Sequence, residues 1–200
     1  MYFMGNKRLR EYERFMQHTP HYRPRGCGVI GIRIMDAKPP PASYEERMGQ
    51  MAAHIPFQSF RMRLNQYLKE SEGNPMIFKD GRHQAAFWTA IERVGQRDYG
   101  LLAALYLLAA DPRLMSVVKR RRPGGTLLFE PFRIPGCTES AYTLYCAARD
   151  LYLGTRHLTI NDLGDTNLIP PKLFVLICNA MAIRRYGLRA LEIQDEAPVG

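Results

Sequence analysis

The sequence predicts a mainly α-helical protein: a helical bundle core with a basic, mostly helical N-terminal extension that contains at most one short strand. Two segments, 98–110 and 171–186, are apolar on nearly all sides, which is typical of helices at the centre of a bundle. Other segments repeat apolar residues at helical spacing behind a capping residue. The 200 residues, 46% of them hydrophobic, are enough to bury such a core.

Residues 1–75 are predicted to form a basic N-terminal region that ends at the turn-forming stretch "EGNP". Its first part is expected to contain a helix over 5–17, a short strand over 27–35 and a Pro-rich turn over 38–42. Ser43 and Glu46 then form a capping-box pattern, which predicts a helix to about His54. A second helix is expected after Pro56.

Residues 76–190 are predicted to form the bundle core, and residues 191–200 an acidic flexible tail. The core is expected to contain a helix over 80–94 and the apolar helix over 98–110, with a third starting at Asp111-Pro112, an N-cap followed by proline. After an irregular stretch, helices are expected to start at three further points: Thr138, Thr159 and residue 171. Gly187 should stop the last of them.

The chain is strongly basic, with 28 Lys and Arg residues against 19 Asp and Glu residues and a net charge of +9. Residues 1–136 carry 22 of the 28 cations, so the predicted positive potential belongs to the first two thirds of the chain. Such a charge attracts nucleic acid, anionic membrane surfaces or acidic protein faces.

One run of four cations, Lys119, Arg120, Arg121 and Arg122, closes the predicted helix that begins at Pro112. One or two cations would complement the dipole at a helix C-terminus, but four exceed that role. The run is therefore predicted to bind phosphate groups. Three cations of the helix expected after Pro56 are predicted to help: Arg61, Arg63 and Lys69.

The sequence contains weak candidates for a metal or nucleotide site. His18, His21 and Cys27 could supply three zinc ligands, but no second cluster follows, and surface histidines in a loop are the favoured interpretation. "GCGVIG" (26–31) matches a dinucleotide-binding pattern, yet no strand precedes it and no helix follows it. No cofactor is therefore predicted.

A catalytic site is the third hypothesis, after the two binding hypotheses. His83 with Asp162 and Asp165, and His157 in addition, could be imagined as a hydrolytic or nuclease site. Their spacing matches no recognised acid–base pair, and Asp162 and Asp165 fit loop and capping roles better. A binding role is favoured over an enzymatic one.

Two stretches, "IFKDGRHQAAFWTAIERVGQRDYGLLAALYLLAAD" (77–111) and "YTLYCAARDLYLG…LTINDLGD…LIPPKLFVLICNAMAIRRYG" (142–187), carry a resemblance. They resemble a family of small uncharacterised Firmicutes proteins of unknown function that are carried by phages and integrative elements. The matching positions are Phe78, Lys79, His83, Tyr99, Leu163 and Tyr186-Gly187. The resemblance implies a role in replication, transfer or interference with host defence.

The first hypothesis for function is a non-enzymatic protein that binds nucleic acid or a nucleoprotein through its Arg/Lys-rich face. The alternative is a protein–protein module that docks on an acidic host protein, as an anti-CRISPR-like inhibitor of a host defence or nucleic-acid enzyme would. A small enzyme using His83 and Asp162/Asp165 is the third. The expected location is the cytoplasm of a bacterial host, with no membrane partner, because the longest apolar run, 99–110, is shorter than the ~20 residues of a membrane span. The oligomeric state is left open.

Overall fold

The computed structural model describes residues 43–92, 94, 98–120, 127–129 and 136–191, with the backbone alone for 117–120. In this part of the chain all regular structure is helical, which confirms the predicted mainly α fold. The helix expected over 5–17, the strand over 27–35 and the Pro-rich turn over 38–42 lie outside the described residues.

The first two described helices start as the sequence predicts. Helix α1 (Tyr44–Ala53) has the full capping box: the Ser43 hydroxyl accepts from the Glu46 amide at 3.2 Å, and the Glu46 carboxylate accepts from the Ser43 amide at 2.9 Å. Helix α2 (Gln58–Glu70) follows Pro56. Both pack into the same hydrophobic core as the later helices, and the compact unit that holds this core begins at Ser43.

Three helices follow at the predicted positions. Helix α3 is Gly81–Ile91, helix α4 is Tyr99–Ala109 and helix α5 is Pro112–Arg120. The carboxylates of Asp80 and Asp98 cap α3 and α4 by accepting a backbone amide of the first turn, at 2.8 and 2.9 Å. Asp111 does the same for α5 by accepting from the Arg113 amide at 2.8 Å.

The last described elements are helix α6 (Glu139–Leu153), helix α7 (Ile160–Gly164), helix α8 (Pro171–Tyr186) and a 3-10 helix over Gly187–Leu191. Thr138 and Thr159 cap α6 and α7 as predicted. Gly187 ends α8 with φ of +72°, a left-handed conformation that favours glycine.

Helices α4 and α8 form the centre of the bundle, as their all-round apolar sequences predict. Every residue of α4 from Gly100 to Ala109 is buried, and α4 packs against α3, α6 and α8. The side chain of Arg184 lies beside Gly100, and the Asn179 amide bonds the Tyr106 hydroxyl, so α4 and α8 run antiparallel. None of the described helices is long and apolar enough to cross a membrane.

A buried polar network joins α1, α4 and α8 to the segment before α3. The side-chain oxygen of Asn179 accepts from the Tyr44 hydroxyl at 2.7 Å. The side-chain nitrogen of Asn179 donates to the carbonyl oxygens of Met76 and Ile77 at 2.9 and 3.3 Å. The Tyr106 hydroxyl also donates to the Ile77 carbonyl. Burial raises the pKa of both tyrosines above the ordinary range, so they remain neutral donors.

Candidate functional site

The predicted basic run begins in a helix that is anchored to the bundle. Leu114 and Met115 of α5 are buried in the core, and the backbone of Lys119 and Arg120 forms the last residues of this helix. The side chains of these two residues, and the whole of Arg121 and Arg122, lie outside the described part of the chain. The first two residues of the run therefore belong to a helix that is held in place by packing.

Two of the three predicted cations on α2 are available to a partner. Arg61 and Lys69 are exposed, and within the described residues no carboxylate pairs with either of them. Met62, next to Arg61, is 59% exposed. Helix α2 therefore carries two exposed cations that form no ion pair within the described residues.

Arg63, the third predicted cation on α2, is used within the fold. Its guanidinium donates to the carbonyl oxygens of Leu163 at 2.8 Å and Asp165 at 3.1 Å, and also to that of Ile169. The guanidinium lies 4.2 Å from the ring centre of Phe174, in cation–π geometry. Burial lowers the pKa of Arg63, which still remains charged at neutral pH. This side chain ties α2 to α7 and α8.

His83, the first catalytic candidate, is buried with both ring nitrogens bonded. Nδ1 accepts from the Lys79 amide at 3.1 Å, which leaves Nε2 as the donor to the Tyr106 carbonyl oxygen at 2.7 Å. The ring also packs edge-on against Phe78. Burial lowers the pKa of His83, so the neutral ring is favoured. Both ring nitrogens are therefore occupied by backbone partners.

The two candidate aspartates organise the loop around α7. The Asp162 carboxylate accepts from the Thr159 amide at 2.7 Å and completes a second capping box. The Asp165 carboxylate accepts from the Asn167 amide at 2.8 Å. Within the described residues, no hydrogen bond or ion pair links either aspartate to His83.

The structure instead pairs His157 with Asp150. The two side chains meet at 2.7 Å between Nδ1 and Oδ1, and the imidazole is 35% exposed. Asp150 also accepts from the amides of His157 and Leu158, at 2.8 and 2.9 Å, and from the Thr155 hydroxyl at 2.7 Å. Burial by itself raises the pKa of Asp150, but these hydrogen bonds outweigh it and hold the pKa below its usual range. The sequence analysis named His157 but not Asp150. Asp150 lies seven residues earlier, within α6, and Gly154 separates it from His157.

The candidate zinc ligands His18, His21 and Cys27 lie outside the described residues. In the described ranges, no group of three or more His, Cys, Asp or Glu side chains could hold a metal ion. Cys146 and Cys178 are buried within helices, as expected for cysteine acting as a small apolar residue. Burial raises the pKa of both thiols.

Comparison with known proteins found no relative. No protein-family model, no curated protein and no solved structure matches the chain. The resemblance to phage-borne and integrative-element proteins stays a prediction, because no match bears on it.

Proposed function

We propose that the protein binds nucleic acid, or a nucleoprotein, through an Arg/Lys-rich face and without catalysis. The observation that supports this most is the exposure of the Arg61 and Lys69 side chains. Both are exposed on α2 and have no ion-pair partner within the described residues. Such cations can contact phosphate directly, whereas the donors of Arg63 are occupied by carbonyl groups.

The basic run adds four more cations to this proposal. Lys119 and Arg120 end the anchored helix α5, and Arg121 and Arg122 follow them directly in the sequence. A backbone that is already fixed loses less freedom on binding than a free chain does, which favours Lys119 and Arg120 as contacts. The binding residues are thus Lys119, Arg120, Arg121 and Arg122, with Arg61 and Lys69. Arg63 is left out because its donors are occupied.

The same observations favour binding over hydrolysis. His83 is bonded through both nitrogens, and Asp162 and Asp165 are engaged by backbone amides elsewhere. The proposal includes a cytoplasmic location in a bacterial host and a mobile-element origin, which the resemblance supports.

The test is fluorescence anisotropy with labelled single-stranded and duplex DNA and RNA of about 20 nucleotides, between ~50 and ~200 mM salt. If four phosphates are contacted, the affinity should fall about 100-fold over this range. Arg120→Glu/Arg121→Glu and Arg61→Glu/Lys69→Glu should each lower the affinity at least about tenfold.

Arg82→Glu/Lys172→Glu is the matched control, because it makes the same change in net charge. Arg82 and Lys172 are exposed in the first turns of α3 and α8, where glutamate is favoured by the helix dipole. This control should retain at least half of the wild-type affinity. Equal losses in all three variants, or no binding by the wild type at ~50 mM salt, would overturn the proposal and favour an acidic protein partner.

A further inference from the structure

A second basic surface lies at the end of the bundle where α4 begins and α6 and α8 end. Arg184 Nε donates to the Leu151 carbonyl oxygen at 3.1 Å and lies 3.4 Å from where a Cβ on Gly100 would stand. This side chain therefore joins the last turns of α6 and α8 to the first turn of α4. It satisfies one of the carbonyl groups that a helix C-terminus leaves without an internal partner.

The loop after α6 is held at the same end of the bundle. Asp150, next to Leu151, binds the amides of His157 and Leu158 and the hydroxyl of Thr155. Four donors, including His157 Nδ1, thus converge on one carboxylate. Arg156, inside this loop, is exposed. The loop is fixed by hydrogen bonds that also use up the acceptor capacity of Asp150.

An aromatic side chain, Tyr99, lies at the same end of the bundle, because it directly precedes Gly100 and packs against Gly187. Gly187 has φ of +72°, and a Cβ there would lie 2.8 Å from Cε1 of Tyr99 and 3.0 Å from its Cζ. The edge of the Tyr99 ring therefore packs against the Gly187 backbone, which only glycine permits at this distance. Tyr99 is nevertheless 39% exposed. The ring is held in place and still accessible.

The charge at this end is only partly compensated. Arg156, Arg185 and Arg189 are exposed and have no ion-pair partner within the described residues. The Arg185 guanidinium lies 5.4 Å from the ring centre of Tyr186, a contact that leaves its charge in place. Among the described residues of these segments, Asp98 and Asp150 carry carboxylates that accept backbone amides, and their two negative charges do not balance the four arginines. One arginine would be enough to complement the C-terminus of α8, so the helix dipole does not account for the set.

We propose that this surface, made of Tyr99, Arg156, Arg184, Arg185 and Arg189, binds single-stranded nucleic acid, with phosphates on the arginines and a base stacked on Tyr99. Single-strand sites combine a basic track with aromatic rings on which bases stack, and arginine suits phosphate through its planar fork. A duplex keeps its bases stacked on one another and cannot use the ring. The surface shares no residue with the cations of the proposed function, so the two proposals can fail separately.

Two sets of substitutions test the phosphate contacts and the stacking contact separately. Binding is measured by fluorescence anisotropy with labelled oligo(dT) and oligo(U) of about 20 nucleotides and with a duplex of equal length. Arg185→Gln/Arg189→Gln should weaken single-strand binding at least about fivefold and reduce the slope of log affinity against log salt by about 1.4. Tyr99→Leu keeps an apolar contact with Gly187 but removes the stacking ring. It should weaken single-strand binding about 5- to 150-fold without changing the salt slope or the duplex affinity.

Tyr99→Phe and Arg82→Gln/Lys172→Gln are the controls, and both should bind single strands within about twofold of the wild type. Wild-type affinity in Tyr99→Leu, with unchanged melting temperature, would overturn the stacking contact. If Arg185→Gln/Arg189→Gln and Arg82→Gln/Lys172→Gln lose the same amount of single-strand affinity, the proposed site is overturned. Loss of binding in Arg120→Glu/Arg121→Glu alone would support the proposed function and overturn this inference. Wild-type protein that binds no single strand would also overturn it.

Discussion

The Tyr44 hydroxyl and the Asn179 side-chain oxygen lie 2.7 Å apart, although 135 residues of sequence separate them. Tyr44 opens α1, and Asn179 lies in the buried middle of α8. Because Asn179 also donates to the carbonyls of Met76 and Ile77, one buried amide joins α8 to α1 and to the segment before α3. This contact makes residues 43–75 part of the bundle.

Replacing Asn179 should therefore destabilise the whole compact unit. Asn179→Leu removes the acceptor of Tyr44 and the donor to two carbonyls, and should reduce the free energy of unfolding by about 2 to 4 kcal/mol. Urea unfolding followed by circular dichroism measures the change. Asn167→Leu, at an exposed position, is the control and should alter stability by less than about 0.5 kcal/mol. Equal effects would show that the network does not hold the fold.

Arg61 and Arg63, two residues apart on α2, should behave oppositely in two measurements. Arg63→Met removes the donors to three carbonyl groups and should destabilise the protein by about 2 kcal/mol, while the salt slope of nucleic-acid binding stays the same. Arg61→Met should leave stability within about 0.5 kcal/mol and reduce the magnitude of the slope by about 0.9 on a duplex. The reverse pattern would show that Arg63 is the binding residue.

The contact between α7 and α2 should be sensitive to one methyl group. A Cβ on Gly164 would lie 3.0 Å from Ser59 Cβ and 3.3 Å from the Phe60 amide nitrogen, and closer still to the Ser59 hydroxyl. Gly164→Ala should thus destabilise the protein by about 1 to 3 kcal/mol in thermal or urea unfolding.

Gly49→Ala is the matched control for this substitution. Gly49 lies within α1, and a Cβ there meets nothing within 4 Å. Alanine should therefore stabilise the protein by about 0.5 to 1 kcal/mol. If Gly164→Ala is as stable as the wild type, α7 does not pack against α2 in solution.

His83 should make the protein less stable in mild acid. Burial holds its folded pKa below the value in the unfolded chain, so the unfolded state binds the proton more readily. This contribution to stability is complete above about pH 6.5 and is lost as the pH falls below that value towards the folded pKa. Urea unfolding at about pH 7.5 and pH 5.5 should show a larger loss for the wild type than for His83→Gln. Equal losses would mean that the folded pKa of His83 is not lowered.

Most helix starts could be predicted because local chemistry determines them. Ser43 with Glu46, Asp111 with Pro112, and Thr159 each satisfy backbone amides within a few residues, whatever the rest of the chain does. The burial of α4 and α8 was equally predictable, since a helix with no polar face must be surrounded.

The roles of individual polar side chains could not be predicted in the same way. Arg61 and Arg63 are alike in sequence, but only Arg63 meets the carbonyls of Leu163, Asp165 and Ile169, a hundred residues later. His157 could have been paired with any carboxylate, and the loop after α6 places it on Asp150.

The sequence by itself determined the helical class, the helix starts and the strong positive charge, because these depend on local hydrogen bonding, on apolar periodicity and on composition. Only the tertiary structure decided which cations remain available. Arg63 is bound by distant carbonyl groups, whereas Arg185 and Arg189 remain exposed where α8 ends. Whether a cation is free to bind a partner depends on groups that are remote in sequence. A local sequence pattern cannot predict these contacts.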